Sequence, residues 1–278
     1  GDRFTAHQHL DVNHFVLFKH EELAGDGGHY DDFGTRHDVN YHLRTIAHNT
    51  ILVRDPDEKW PAIRAGAVTA NDGGQRHNWP HHNGATADVA DWQKNRALYE
   101  TGEILAFEDP GPYLYVAGDC TGAYQAKKLG HFTRQIVFLR PGTFVVFDRV
   151  KSKDPSFKKT WLLQAMKPPT GEAPRLVVTN GKGRLFVETL LPAKAQVKLV
   201  QGKDLYTIDG QEYPPSRSTG AAPECRIEVS PPEPAAADCF LHVLTAADAT
   251  VEEFPKAAVQ VTGGAAVVTA GTARLTFP

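Results

Sequence analysis

From residue 103 onward, apolar and polar positions alternate in short runs, and turn-forming residues close most of them. Alternation with a period of two sends successive side chains to opposite faces of a strand. The runs predict strands at 103–107, 112–118, 132–140, 143–150, 158–166, 175–180, 184–190, 196–201, 225–230, 239–246, 257–262, 265–270 and 272–277. Arg140-Pro141-Gly142, Asn180-Gly181-Lys182-Gly183, Asp209-Gly210, Gly263-Gly264 and Gly271 punctuate them. Many short strands at near-regular spacing argue for an all-β fold, an antiparallel sandwich. Phe144 to Val150 is apolar on both faces, as suits a central strand between two layers. Pro and Gly are spread throughout, so no helix longer than about three turns is expected, and residues 90–99 are the one short candidate. Residues 202–222 and 230–237 read as loops.

The first 54 residues read as strands and tight turns. His7 to His14 predicts a strand that runs on into Phe15-Val16-Leu17-Phe18. On it His7, His9, Asp11 and Asn13 share one face, and Gln8, Leu10, Val12 and His14 the other. Lys19-His20-Glu21-Glu22 is a polar hairpin tip, and the return through Leu23 brings Asp26 back beside His7 and His9. Gly25, Gly27 and Gly28 suit positive φ or close backbone approach. Residues 31–41 read as a loop and 43–53 as a strand. Residues 55–101 lack periodicity and hold Trp60, Trp79 and Trp92. A long ordered loop of this kind is either functional or an insertion plugging one end of a sandwich.

Composition narrows the class without naming it. The 278 residues are 41% hydrophobic and 23% charged, ample for a large core in one extended β domain. The net charge is −3 and no Lys/Arg cluster dominates a segment, which argues against a nucleic-acid partner. No apolar run approaches the roughly 20 residues of a membrane span. Cys120, Cys225 and Cys239 form no CxxC; three free thiols, or one disulfide and one thiol, both fit. The chain starts at Gly1-Asp2-Arg3 with no signal peptide, so a fragment or processed chain is expected.

Histidine is concentrated at the start: eight of the 13 fall within residues 1–48. His9, Asp26 and His48 supply two imidazoles and a carboxylate, a donor set that suits zinc with a fourth position for water or a backbone group. His7 would sit at the edge of that site, and a free imidazole suits proton transfer near neutral pH. Asn49 follows a ligand directly and would orient a neighbour by hydrogen bonding. Two other readings stay open. His9-Leu10-Asp11 with His48 mimics the facial triad of non-haem iron oxygenases. Trp60, Trp79 and Trp92 could stack on sugars in a non-catalytic carbohydrate-binding module.

HQHLDVNHFVLF, LAGDGGHYDDFG and TIAHNTILV, in that order, resemble the C-terminal domain of the heparinase II/III-like polysaccharide lyases. The stretches Tyr115 to Asp119 and His131 to Val150 resemble that family's central strands. The resemblance covers about the first 170 residues and reaches the rest only through β character. It implies a two-layer antiparallel super-β-sandwich over residues 1–278, preceded by an α/α toroid that is absent from this chain. It also implies β-elimination at a uronic acid within an acidic polysaccharide or oligosaccharide. Under it His9, Asp26 and His48 hold zinc, largely as a structural ion, and His7 is catalytic. Tyr30, Tyr41, Arg44 and Asn49 fall among the substrate-binding positions of the cleft. His29 departs from the family, which often carries an aromatic there, and this puts the cleft wall in doubt. The toroid would supply the remaining catalytic groups, so this chain alone would be weak or inactive. The family and the substrate's size imply a periplasmic or secreted protein.

Overall fold

A computed structural model of the chain describes residues 8–60, 70–76 and 86–278. Two antiparallel sheets face each other. One is ordered Leu17–Lys19, Glu21–Ala24, Lys158–Ala165, Cys225–Ser230, Gln196–Gln201, and Ile51–Arg54 also pairs with Lys158–Ala165. The other is ordered Glu103–Glu108, Tyr113–Asp119, Leu129–Leu139, Thr143–Ser152, Ala237–Asp248, Gly183–Leu191, Arg175–Asn180, Thr170–Glu172. Ala257–Thr262, Ala265–Ala270 and Ala273–Phe277 form a separate three-stranded sheet. The all-β, two-layer antiparallel sandwich is thus what the chain forms.

Alternation decides which side chains enter which core. Trp161, Leu163 and Ala165 point from the smaller sheet into the sandwich, where they meet Phe132, Val146, Val150 and Phe240. Val145, Phe147, Leu241 and Val243 point the other way, onto Ala266, Val268 and Phe277 of the three-stranded sheet. The strand that is apolar on both faces is therefore covered on both faces. Full burial of each such side chain contributes roughly 1.5–3 kcal/mol, so the C-terminal sheet is integral to the larger one. Leu52 and Leu162 face outward from the smaller sheet, under Tyr41, Ile46, Ala47 and Tyr213.

The strands expected beyond residue 103 are present, some longer by a few residues, and Val89–Lys94 and Arg96–Tyr99 make the short helical stretch. The loop expected at 202–222 contains a helical turn at Gly202–Tyr206 and a small hairpin, Thr207–Ile208 with Gln211–Glu212. The N-terminal expectations need correction. Residues 8–16 are not a strand: a turn surrounds Asn13, whose φ is +65°, and regular pairing begins only at Leu17. The expected strand over 43–53 is a helical turn at Thr45–Ala47 followed by Ile51–Arg54, and the expected loop over 31–41 ends in a wide helical turn at Asp38–His42. All three cysteines are free; Cys120 and Cys225 are buried and Cys239 is exposed. Among the described residues no helix is long and apolar enough to cross a membrane.

Candidate metal centre

The first hairpin turns at His20 and returns through Leu23 and Ala24, which are fully buried, into the glycine-rich turn bearing Asp26. Gly28 takes φ +83°, and a Cβ there would lie 2.7 Å from His37 Nε2. Gly27 is hemmed in by Gln164, Tyr41 and the Ala47 carbonyl. A side chain at Gly28 would displace the His37 imidazole, and one at Gly27 would crowd Gln164, Tyr41 and the Ala47 carbonyl. The turn after Thr45–Ala47 delivers His48 to the same place, and the irregular 8–16 segment delivers His9.

The ligand-capable atoms of His9, Asp26 and His48 all lie within 4.8 Å of one another. His9 Nδ1 and His48 Nε2 are 3.3 Å apart, and His48 Nδ1 lies 3.1 Å from Asp26 Oδ1. Two nitrogens bound tetrahedrally at zinc–nitrogen distances would be separated by about 3.3 Å. The donor chemistry fits zinc and the His9–His48 spacing matches it, while the 3.1 Å contact of Asp26 falls on the other nitrogen of His48. The carboxylate grouped with these imidazoles is Asp26, not the Asp11 that an iron triad would use.

Charge is tuned in the direction that ligation needs. Burial, then the neighbouring His48 and His42, pushes the His9 pKa down to about 4, which leaves a neutral imidazole at neutral pH. Burial alone would raise the Asp26 carboxyl, but contacts from His14 and His48 outweigh it and hold it below the usual carboxylate range. Deprotonated ligands bind cations without first releasing protons.

His42 packs edge-on to His9 at 4.8 Å, and its Nδ1–H reaches the Gly27 carbonyl at 3.3 Å. Behind it His37 donates from Nδ1 to the Tyr213 carbonyl at 2.6 Å and accepts the His29 N–H on Nε2 at 3.1 Å. Only a neutral ring serves both bonds, and burial lowers its pKa despite the bond to Tyr213. His242, stacked on Trp161 at 3.7 Å, is likewise held neutral by burial and by the nearby Arg134 charge. Both folded pKa values lie below the unfolded value of about 6.5, so the unfolded chain takes up these protons first. The stability they hold is present above about pH 6.5 and is lost as pH falls, at up to roughly 1.4 kcal/mol per pH unit for each group. Denaturant titrations of metal-free protein near pH 7.5 and pH 5.5 should show the loss, and His242→Phe should reduce it; an unchanged difference would contradict the neutral assignment.

The other anticipated residues divide. Tyr30 is 47% exposed, with its ring 6.3 Å from His42. Tyr41, Arg44 and Asn49 are buried. Tyr41 accepts from Arg226 at 3.3 Å, and Arg44 pairs with Asp72 at 2.7 Å while lying over the Trp60 ring. Trp60 is therefore covered on one face, and Trp79 and His7 lie outside the described residues. Asn49 is a hub. Its side chain donates to the carbonyls of Phe15 at 2.7 Å and Gly25 at 3.3 Å, and accepts the Gln164 N–H at 2.6 Å. It orients its neighbours, as its place beside His48 suggested, and does so from inside the protein.

Two residues that brace the cluster escaped the sequence reading. His14 Nε2 lies 2.8 Å from Asp26 Oδ1, and its Nδ1 accepts the Asn49 N–H at 2.8 Å. Arg134 forms a two-pronged pair with Asp148 at 2.7 and 2.8 Å, buried between the sheets. Its third arm donates to the carbonyls of Asn13 and Asn49, each at 2.7 Å. Those carbonyls belong to the residues next to His14 and His48, so the guanidinium anchors the backbone beside both imidazoles.

A family described as heparinase II/III-like, C-terminal, matches residues 1–203. No curated protein matches the chain. Among solved structures, a heparinase III gene product superposes with a TM-score of 0.66 at 12% identity, over 100% of this chain and 37% of that one. The heparan sulfate lyase HepC from Pedobacter heparinus superposes with a TM-score of 0.62 at 13% identity, over 98% of this chain and 37% of that one. A further heparinase III gives 0.61 at 12% identity, over 97% and 35%. At such identities the likeness carries the fold, and this chain spans a little over a third of the length of these relatives. The matched span takes in the imidazole cluster and strands of both facing sheets, and on it the chain belongs to the heparinase II/III-like C-terminal family.

Proposed function

We propose that this chain forms the sandwich side of the active site of a lyase that cleaves uronic-acid-containing glycans by β-elimination, and that His9, Asp26 and His48 hold a zinc ion. The observation that carries the reading is the convergence of these three residues, from three separate segments, within 4.8 Å of one another, with the nearest His9 and His48 nitrogens 3.3 Å apart. Family membership supplies the reaction class.

β-Elimination removes the proton at C5 of the uronate and breaks the C4–O bond, leaving a C4–C5 double bond. The uronate carboxylate must be neutralised so that the enolate-like charge is stabilised, and a proton must reach the leaving oxygen. When bound, zinc would supply cohesion, pinning the segment that follows His7 beside the turn that carries Asp26. Tyr30 is the exposed ring beside the cluster and would contact a sugar. His7 would exchange a proton with the substrate. The groups that neutralise the carboxylate would come from an upstream helical toroid, consistent with the greater length of the structural relatives. A polymeric acidic substrate argues for action in the periplasm or outside the cell.

The test is metal content by elemental analysis after zinc loading and desalting, on the wild-type chain and on His9→Ala. About one zinc per chain, lost in the variant, is the expected result, matching a single three-residue site. Iron in place of zinc would favour an oxygenase, and no metal in either sample would sink the site. The full-length protein should then release unsaturated uronate from a panel of acidic glycans and lose that turnover in His7→Ala.

A further inference from the structure

The His14 imidazole lies beside the proposed zinc ligands without being one of them. Its Nδ1 accepts a hydrogen bond from the Asn49 N–H at 2.8 Å. A nitrogen that accepts from an amide carries no proton, so the ring's proton sits on Nε2. That Nε2 is buried and lies 2.8 Å from Asp26 Oδ1, an ion-pair contact outside the alignment of a regular hydrogen bond. Ligation would need a lone pair on this nitrogen, and the tautomer removes it. The ring is also fixed from behind: Arg134 holds the carbonyl of Asn13, and Asn49 holds the carbonyl of Phe15. His14 is held on both sides in the chain and by a hydrogen bond at Nδ1, which leaves Nε2 against Asp26.

From this we propose that His14 is a positioning residue for the metal centre. It presents a fixed N–H to Asp26 Oδ1 and turns the carboxylate so that its other oxygen faces the cation. The inference rests on the zinc reading above. His48 Nδ1 contacts the same Oδ1 at 3.1 Å, so both imidazole contacts fall on one oxygen and leave Oδ2 for the metal. Nothing in this arrangement requires His14 to change charge. Hydrogen-bond partners of this kind orient metal ligands, and losing one commonly costs about 10- to 100-fold in metal affinity.

Two substitutions separate the two ring nitrogens. His14→Asn keeps an acceptor near the Nδ1 position for the Asn49 N–H but is too short to reach Asp26. His14→Gln places an amide N–H near the Nε2 position and gives up the acceptor. Zinc affinity, by competition with a chelator, and metal-free thermal stability are measured on the whole chain for all three proteins. The expected result is roughly 10- to 100-fold weaker zinc binding in His14→Asn with metal-free stability little changed, and affinity within about threefold of wild type in His14→Gln. Wild-type affinity in His14→Asn, equal weakening in both variants, or weakening that tracks lost stability would each overturn the proposal. A wild-type chain that binds no zinc would overturn the site itself, an outcome distinct from those three.

Discussion

Arg134→Met should destabilise the domain by roughly 3–5 kcal/mol, the range for removing one partner of a buried ion pair. Asp148 is fully buried, and burial already pushes its carboxyl upward against the opposing pull of the guanidinium. Without Arg134 that carboxylate has lost its cation, and the carbonyls of Asn13 and Asn49 have lost their donor. Methionine replaces the stem and leaves the volume nearly filled, so the cost is electrostatic rather than a cavity. Denaturant unfolding of the metal-free protein measures it. The double variant Arg134→Met/Asp148→Leu should recover part of the loss, because two apolar groups across a strand pair need no partners. It should not recover zinc affinity, since the two carbonyls remain unheld. A double variant with wild-type affinity would disprove the role of Arg134 beneath His14 and His48.

Asn49→Ala should lower stability by roughly 2–4 kcal/mol, since each buried polar group left unsatisfied costs about 1–3 kcal/mol and the effects do not add fully. Three groups lose their partner at once: the Phe15 and Gly25 carbonyls and the Gln164 N–H. Each belongs to a different part of the site. Phe15 ends the segment carrying His9 and His14, Gly25 precedes Asp26, and Gln164 lies on the strand beneath. The variant should therefore bind zinc weakly even where it remains folded. Asn49→Asp keeps the acceptor for Gln164 but loses both donations and buries a charge, so it should be no better. Stability within about 0.5 kcal/mol of wild type, the range of an ordinary surface substitution, would return Asn49 to the cleft.

How far the chain could be read depended on what held each segment in place. Beyond residue 103 short apolar runs closed by turn residues reported the strand positions, whether a strand is buried on one face or, as at Thr143–Ser152, on both. The segment over 8–16 is held by side-chain-to-backbone bonds around a positive-φ Asn13, and alternation has no meaning there. That is why His14 was placed on the face opposite His9, though both reach one site. The cluster of His9, Asp26 and His48 was legible because its chemistry is distinctive and its motifs resemble a family. Tyr41 and Arg44 counted as cleft residues only through the family resemblance; here both are buried, Tyr41 bonded to Arg226 and Arg44 paired with Asp72. Arg134 and Asp148 left a usable trace. Each interrupts the apolar face of its strand, and the turn at Arg140-Pro141-Gly142 sets them directly opposite each other.

The brace beneath the cluster also orders events in time. Arg134 is 121 residues from the Asn13 carbonyl it holds and 85 from that of Asn49, and Gln164 is 115 residues from Asn49. Contacts of such long sequence separation carry the largest loop-closure cost and form late. During synthesis the would-be ligands emerge first and wait, unbraced, for strands made much later. On that order the cluster would be completed by sheet closure and not seed it, and an ion gripped there would report a chain whose distant segments have already met.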